Sequence, residues 1–537
     1  MKKILIYGLI GICLSSSALF TSCIDETVPS NIVTADQLSS SAKATEALLW
    51  AMPAFTNRYN VQGAENSYDW GYGSLMRVRD VMTVDMATVS SGYDWYTTWS
   101  QNRNAGPTYA STQFIWNFIW KFIQTSNNMI ATINPETATD IQKGYLGCGY
   151  AFRAMIYLDA AQMFEFLEND KTSSTNASGN NVLNLTVPIV NEKTTEAEAR
   201  NNPRVPRQQM VEFILSDLNK AEEYLTGFVR PSKTLPNLAV AYGLKARLYM
   251  WVGDYANAQT YARKAIDTGN FTPTTREQWL NTATGFNDLS TPSWMWGSQM
   301  VKEDEVVQTG INNWTSWMSN ETFFGYAGAG PFIMIDAQTY SNISDDDFRK
   351  LSWKAPEGTA LAGKTPFIDP EWGAELPDYA STKFRPGQGN MEEYTVGAVT
   401  AYPMMRIEEM YFIEAEAAAH QNAAAGKALL ENFMKTYRYS TYTCRASDTD
   451  GVVDEIFLQK RVELWGEGTN YFDYKRLNKP VTRGYEGTNH SDAARFNTTT
   501  RPAWMNFAII QSEPNNNAGI KGYENPDPSG LYKPWTN

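Results

Sequence analysis

Histidine and cysteine are scarce in this chain of 537 residues, and their scarcity excludes several classes of protein. The two histidines, His420 and His490, lie far apart in the sequence. A His-based catalytic triad or a multi-histidine metal site is therefore not expected. The four cysteines are too few for a disulfide scaffold, and they lack the spacing of a zinc ribbon.

Basic residues are also in the minority, since 45 Lys and Arg face 58 Asp and Glu and the formal net charge is −13. An acidic surface without a Lys/Arg run repels phosphate backbones, so no nucleic-acid partner is expected. Aromatic residues are abundant at 13%. Hydrophobic residues at 43% and charged residues at 19% indicate a folded globular protein.

The first residues have the pattern of an export signal. Lys2 and Lys3 precede an apolar stretch over residues 4–20, which is short and interrupted by serines. Small residues lie directly before Cys23, an arrangement that resembles a bacterial lipobox and predicts lipidation of Cys23. An ordinary signal peptide with an incidental cysteine is the alternative. We therefore divide the chain into a signal peptide over residues 1–22, a flexible tether over 23–35 and one body over 36–537.

Helical periodicity dominates the body, and its apolar positions recur at spacings of three and four residues. It predicts helices near residues 45–59, 114–133, 145–167 and 211–225. Residues 236–268 have the small-residue offsets of a tetratricopeptide-type helical hairpin with a turn at Gly253 and Asp254. A second hairpin is predicted over 404–437 with a break near Asn422. The predicted fold is mainly α, with helical hairpins as a scaffold and large irregular excursions at 60–109, 169–207, 272–403 and 483–537.

Two further features have competing interpretations. Cys148 lies in a helical pattern and is expected to be a small core residue, although a bridge to Cys444 is the alternative. No cofactor is expected. Aspartate runs at 345–347 and 448–450 could suggest calcium, but they lack an EF-hand ligand pattern and are interpreted as turns or helix caps.

The segment 456–479 carries the pattern by which the chain resembles the SusD/RagB family. Its motif residues are Lys460-Arg461-Val462-Glu463-Leu464, Glu467-Gly468 and Tyr471-Phe472-Asp473-Tyr474-Lys475-Arg476. The sequence departs from the family pattern at Thr469-Asn470, where His/Arg-Arg is usual. Further matches occur at 405–417, 214–218, 236–266, 187–189 and 347–349, so the resemblance extends over most of the chain in the family's order.

The resemblance implies a surface lipoprotein, anchored in the outer membrane by lipid, that binds glycans beside a SusC-like TonB-dependent transporter. It implies four tetratricopeptide-like units packed on an irregular part, divided near residues 36–270 and 271–537, and binding without hydrolysis. The cluster of Glu467, Asp473 and Arg476 is interpreted as buried structural ion pairs.

Sugar rings stack on flat aromatic faces, and amides, carboxylates and arginines bind their hydroxyl groups. Two irregular stretches, 67–104 and 291–326, combine these residue types. In contrast, Trp116 and Trp120 follow a helical pattern and are expected in the core. Among the candidate glycan contacts, the first three are the counterparts that the resemblance implies: Trp95, Trp99, Asn102, Arg79, Trp294, Trp296, Trp314 and Trp317.

The main prediction is a glycan-binding lipoprotein that delivers oligosaccharides to a transporter. A structural or peptide-binding component without its own glycan site is the first alternative, because tetratricopeptide units often bind peptides. A glycoside hydrolase is the second, because paired carboxylates are frequent in an acidic chain. No nucleophile elbow, phosphate loop or dinucleotide fingerprint occurs.

Overall fold

The architecture is that of a computed structural model, which describes residues 41–536. Helices make up most of its regular structure, as predicted. Those of the first part are α1 (Ala42–Phe55), α2 (Tyr72–Val81), α3 (Thr97–Ser100), α4 (Ala110–Thr132), α5 (Asp140–Phe164), α6 (Glu196–Ala199), α7 (Arg207–Leu225), α8 (Leu238–Val252) and α9 (Tyr255–Thr268). Those that follow are α10 (Arg276–Trp279), α11 (Glu305–Gln308), α12 (Trp314–Met318), α13 (Ala337–Ser341), α14 (Pro370–Glu375), α15 (Tyr394–Gly397), α16 (Ile407–Gln421), α17 (Ala423–Tyr437), α18 (Thr449–Glu463), α19 (Asn470–Arg476) and α20 (Ser512–Asn516).

Four short strands form two small antiparallel sheets between the helices. The strands are β1 (Met86–Thr88), β2 (Trp294–Gln299), β3 (Ile333–Ile335) and β4 (Ala401–Arg406). β1 pairs with β3, and β2 pairs with β4. Each pair joins segments that are distant in the sequence, so the sheets fix the long excursions to the scaffold.

The two predicted hairpins are present. α8 and α9 pack together, and Gly253 between them has φ 76°, a left-handed conformation that glycine adopts without strain. Ala258, Ala262 and Ala265 of α9 are fully buried, which allows close approach of the helices. In the second hairpin, Asn422 ends α16 and its side chain caps α17 by accepting a hydrogen bond from the backbone of Ala425.

The four single helices predicted from periodicity are also confirmed, as α1, α4, α5 and α7. On α4, Trp116 is buried and Trp120 is half-buried, with their ring centroids 5.4 Å apart. Trp116 also contacts Phe164 of α5 at 5.0 Å. This pair therefore belongs to the packing between α4 and the elements around it.

Glu467, Asp473 and Arg476 of the motif form buried ion pairs, as the sequence predicted, but Asp473 and Arg476 pair with each other at 2.6 Å while Glu467 has other partners. Arg406 lies between Glu463 at 3.1 Å and Glu467 at 2.9 Å. Lys383 adds a 2.7 Å contact to Glu467. Burial lowers the pKa of Lys383 to about 8, although the nearby carboxylate of Glu467 raises it. These pairs join β4, α18 and the irregular segments, so their role is structural.

Gly468 explains why this motif contains a glycine. Its φ is 67°, and a Cβ at this position would lie 2.6 Å from the Cα of Met76. Its amide also donates to both carboxylate oxygens of Asp80, at 3.1 and 3.0 Å. Asn470 is one of the two positions where the sequence departs from the family pattern, and its side-chain amide donates a hydrogen bond to the carboxylate of Asp85 at 3.0 Å.

One large hydrophobic core contains side chains from Leu49 to Tyr532 and thus draws on both parts of the body. Cys148 and Cys444 are both buried and free, so the alternative of a bridge between them is wrong. The aspartate runs act as caps: Asp347 and Asp448 accept hydrogen bonds at the starts of a 3₁₀ helix and of α18.

The predicted signal peptide, the tether and the lipidation site Cys23 lie outside residues 41–536. Within that range, none of the helices combines the length and the apolar character that a membrane span requires.

Candidate functional site

Four of the tryptophans predicted to contact a ligand lie in the core. Trp294 and Trp296 of β2 are fully buried, and Trp296 contacts Phe152 with ring centroids 4.9 Å apart. Trp314 of α12 stacks on Tyr402 at 4.7 Å. Trp317 is also fully buried. Since protein atoms cover both faces of these rings, they offer no stacking surface to a sugar in this conformation.

Trp317 is covered by specific neighbours. It meets Tyr96 edge-on at 4.9 Å, stacks on Tyr326 at 4.2 Å and lies 4.9 Å from the guanidinium carbon of Arg77. The long excursion that contains α12 is thereby attached to the loop after β1. Tyr326 itself is half-buried and reaches the surface.

Three other predicted contacts are buried as well. Arg79 forms a 2.6 Å ion pair with Asp159 of α5. The ring of Trp99 packs on that of Tyr96 at 5.4 Å. Asn102 has φ 44° and its amide donates to a backbone carbonyl of the C-terminal segment at 2.8 Å. Their side chains are engaged in tertiary structure and do not face solvent.

Trp95 is the one predicted aromatic contact that lies on the surface, with 49% of its area exposed. Tyr93, two positions earlier, is 61% exposed. Asp94 between them is buried, and it accepts hydrogen bonds from the amide of Tyr96 at 3.0 Å and the hydroxyl of Thr88 at 3.2 Å. Because Asp94 is held inside, both rings are directed outward on a loop that is anchored from beneath.

Burial raises the pKa of Asp94, against the opposing effect of Arg77. For this carboxylate the effect of burial thus exceeds the combined stabilisation by Arg77 and the hydrogen bonds from Tyr96 and Thr88. Its hydrogen bonds to the loop make it a positioning group for Tyr93 and Trp95.

A second group of surface aromatics includes Phe332, whose backbone pairs with the residue that follows β1. The amide of Val89 donates to the carbonyl of Phe332 at 3.1 Å, which extends the pairing of β1 with β3. Phe332 and Phe323 both contact Trp372 of α14, with ring centroids at 6.4 and 5.2 Å. Phe323 is 45% exposed, and Phe332 and Trp372 are half-buried.

We call these surface residues together the aromatic face. Its members are Tyr93, Trp95, Phe323, Tyr326, Phe332 and Trp372. Two structural links connect its halves: the β1–β3 pairing and the chain of ring contacts from Tyr96 through Trp317 to Tyr326. Rigid rings with apolar faces and polar edges are suited to binding sugar rings at an exposed site.

The sequence identified part of this face. Phe323 and Tyr326 lie in the second candidate stretch and Tyr93 lies in the first, but none of them is among the predicted contacts. Phe332 and Trp372 lie outside both stretches. Phe332 directly follows Pro331, and Trp372 lies in the first turn of α14, which begins at Pro370; an aromatic close after a proline within a long excursion is the signal that could have found them.

Among residues 41–536, no group of three or more His, Cys, Asp or Glu side chains is arranged to hold a metal ion.

Two family models match separate parts of the chain. A model described as "Starch-binding associating with outer membrane" matches residues 33–250. A model described as "SusD family" matches residues 352–527. Among curated proteins, a SusD-like protein from Formosa agariphila is 23% identical over 416 residues, which are 71% of this chain and 75% of that protein.

Solved structures show the same fold. A SusD-like carbohydrate binding protein from Bacteroides vulgatus superposes with a TM-score of 0.69 at 21% identity, covering 89% of this chain and 97% of that one. A SusD superfamily protein from Bacteroides thetaiotaomicron gives 0.68 at 18% identity, covering 90% and 99%. The helical scaffold, the motif around Glu467-Gly468 and both family models thus agree, and the chain belongs to the SusD/RagB family.

Proposed function

We propose that this protein captures oligosaccharides at the cell surface and passes them to a SusC-like TonB-dependent transporter in the outer membrane. The observation that carries the proposal is the aromatic face, where the exposed Tyr93 and Trp95 extend from the anchored loop after β1 and Val89 of that loop pairs with Phe332. The description of one matching family model as starch-binding and outer-membrane-associated supports the same chemistry. Stacking on an exposed face gives weak binding, which suits a protein that must release its ligand.

Binding is measured by titrating the full chain, purified in detergent, with a panel of soluble oligosaccharides of different backbone and linkage. We expect saturable binding of at least one glycan. An absence of binding across the panel, both alone and in the presence of the transporter, would contradict the proposal.

The protein is proposed to act without catalysis. The same incubations are therefore assayed for new reducing ends, and none is expected. A time-dependent increase that survives further purification would favour a glycoside hydrolase instead.

Membrane attachment is proposed to depend on lipid at Cys23, directly after the small residues that end the export signal. A single acyl chain anchors only marginally, but several together hold a protein firmly. Mass spectrometry of the N-terminal peptide should show acylated Cys23, and Cys23→Ala should move the protein from the membrane fraction to the soluble one. Unchanged membrane association of that variant would oppose the anchor.

Glycan uptake and co-purification with the transporter, measured together, distinguish a glycan-binding protein from a structural or peptide-binding component. If the protein is only a structural or peptide-binding component, substitution of the aromatic face will leave glycan uptake by cells unchanged while the two proteins still co-purify. The proposal expects uptake to fall while co-purification persists.

A further inference from the structure

A polar cavity on the helical side of the molecule shares no residue with the aromatic face. Its volume is about 390 Å³, and it lies where the end of α5, the start of α7 and α19 meet. This size falls within the range of about 300–1,000 Å³ that is usual for small-molecule sites. The lining residues that matter here are Glu165, Arg207, Trp251, Phe472, Lys475 and Arg501. We call it the cationic cavity.

The nearest buried carboxylate, Glu165, is already fully engaged. Arg207 Nε donates to its Oε1 at 2.5 Å, and Trp251 Nε1 donates to its Oε2 at 3.0 Å. Lys475 does not share this carboxylate, because its ammonium donates to three backbone carbonyls at 2.6 to 3.1 Å. Within residues 41–536, Lys475 has no carboxylate at ion-pair distance.

Arg501 is a second cation of this cavity that has no carboxylate at ion-pair distance among residues 41–536. Its Nε donates to the amide oxygen of Asn478 at 2.8 Å, and its terminal nitrogens make no hydrogen bond within that part. Arg204, close behind the cavity, is held by carbonyl and amide oxygens rather than by an acid. In a protein of net charge −13, this cavity therefore concentrates positive charge.

The titration of these groups agrees with the geometry. Burial lowers the pKa of Arg204 to about 9, against weaker attraction from Glu165. Burial also lowers the pKa of Arg501; the carboxylates of Glu165 and Glu168 raise it, and the positive charge of Arg207 lowers it. Burial places the pKa of Lys475 well below its usual range. An anion bound among these groups would stabilise their charged forms.

The walls of the cavity indicate the size and kind of anion. An arginine fork binds a planar carboxylate through two parallel hydrogen bonds. Phe472 is half-buried and gives an apolar wall, and Leu183 adds to it. The exposed side chains of Asn184 and Glu168 at the rim can bind hydroxyl groups. The apolar wall suits the face of a sugar ring, the rim side chains suit its hydroxyl groups, and the arginines suit a carboxylate on that ring.

From this arrangement we propose that the cationic cavity is a second ligand site, which binds a uronic acid with its carboxylate on Arg501 and Arg207 and its ring against Phe472. The site is independent of the proposed binding of glycans at the aromatic face. Failure of one proposal therefore leaves the other standing.

Isothermal titration of the full chain in detergent with sodium glucuronate tests the site. Glucose, inorganic sulfate and inorganic phosphate are titrated separately at constant ionic strength. We expect saturable binding of glucuronate that glucose does not compete away. Arg501→Gln should weaken it at least tenfold, whereas Trp95→Ala and the exposed control Arg200→Gln should leave it unchanged.

Because Arg501 is partly buried, a second variant keeps the test independent of folding. Asn184→Asp adds a negative charge at the exposed rim, and it should weaken glucuronate binding while the melting temperature stays unchanged. The proposal is overturned if glucuronate shows no saturable binding, or if both variants bind it as the unmodified chain does. Binding of sulfate or phosphate without competition by glucuronate would overturn the assignment to a carboxylated sugar.

Discussion

The indole of Trp317 stacks on the phenol of Tyr326, with ring centroids 4.2 Å apart and planes inclined by 18°. Trp317 is fully buried, whereas Tyr326 is half-buried and reaches the aromatic face. A core tryptophan therefore supports a surface tyrosine from beneath. The relationship shows how this molecule uses its aromatics: one set fixes the irregular excursions, and another set is presented on them.

Trp95→Ala should weaken glycan binding at least tenfold, which corresponds to about 1.4 kcal/mol, because it removes an exposed ring without opening the core. The dissociation constant for a glycan that binds the unmodified chain is the measurement, and the melting temperature should hardly change. Tyr523→Ala serves as the matched control, since Tyr523 is 42% exposed and lies outside the aromatic face. Equal loss of affinity in both variants would show that Trp95 has no specific part.

Trp317→Ala should lower the free energy of unfolding by about 3–5 kcal/mol, because it leaves a cavity beneath Tyr326 and beside Tyr96. Denaturant titration measures this loss. Trp317→Phe should recover much of the stability, since a ring is kept in the stack. If Trp317→Ala were as stable as the unmodified chain and had lost only binding, Trp317 would be a ligand contact rather than a support.

Arg406→Met should destabilise the fold by about 3–5 kcal/mol, because it leaves Glu463 and Glu467 without their shared cation in the core. Thermal and chemical unfolding both report this change. Arg495→Met, which removes a cation paired with the exposed Asp492, is the control and should cost less than about 1 kcal/mol. A similar loss in both variants would contradict a special role for the buried network.

Glu416 predicts a particular dependence of stability on pH. Although burial opposes it, Arg476 and His420 lower the pKa of Glu416 to about 2 from an ordinary 4.5. Because the folded pKa is depressed, its contribution is fully present above pH 4.5 and is lost as the pH falls toward 2. The advantage of the unmodified chain over Glu416→Gln should therefore shrink across this window, by on the order of 3 kcal/mol.

The free energy of unfolding of both proteins is measured at several pH values between 2 and 7. Glu196→Gln, at an exposed pair with Arg200, is the control, and its difference from the unmodified chain should stay small throughout. A constant difference between the unmodified chain and Glu416→Gln would show that this carboxylate titrates normally in the folded state.

The helices and the two hairpins could be predicted from the sequence because their signals are local. Apolar residues repeat within one or two turns, and Gly253 and Asn422 mark the ends of helices through their own backbone preferences. The family motif was also readable, since its charges occur in one short segment that includes Glu463 and Glu467.

The exposure of individual aromatics could not be predicted in this way. Trp95 and Trp99 are four positions apart in one polar segment, yet Trp95 is half exposed and Trp99 is buried. The difference arises because Tyr68 and Tyr96 cover Trp99, and Tyr68 precedes α2, outside the local pattern around Trp99. Ring burial depends on such long-range contacts, which a local pattern does not contain.

The sequence by itself thus determined the helical scaffold, the family and the wealth of aromatics in the excursions. Only the tertiary structure decided which rings form the surface, because strand pairing between β1 and β3 and stacking beneath Tyr326 bring together residues far apart in the chain. It also brought Arg207, Lys475 and Arg501 to the lining of one cavity, although the sequence has no local run of basic residues that would indicate this. Periodicity is a property of neighbours in sequence, whereas a binding surface is a property of neighbours in space.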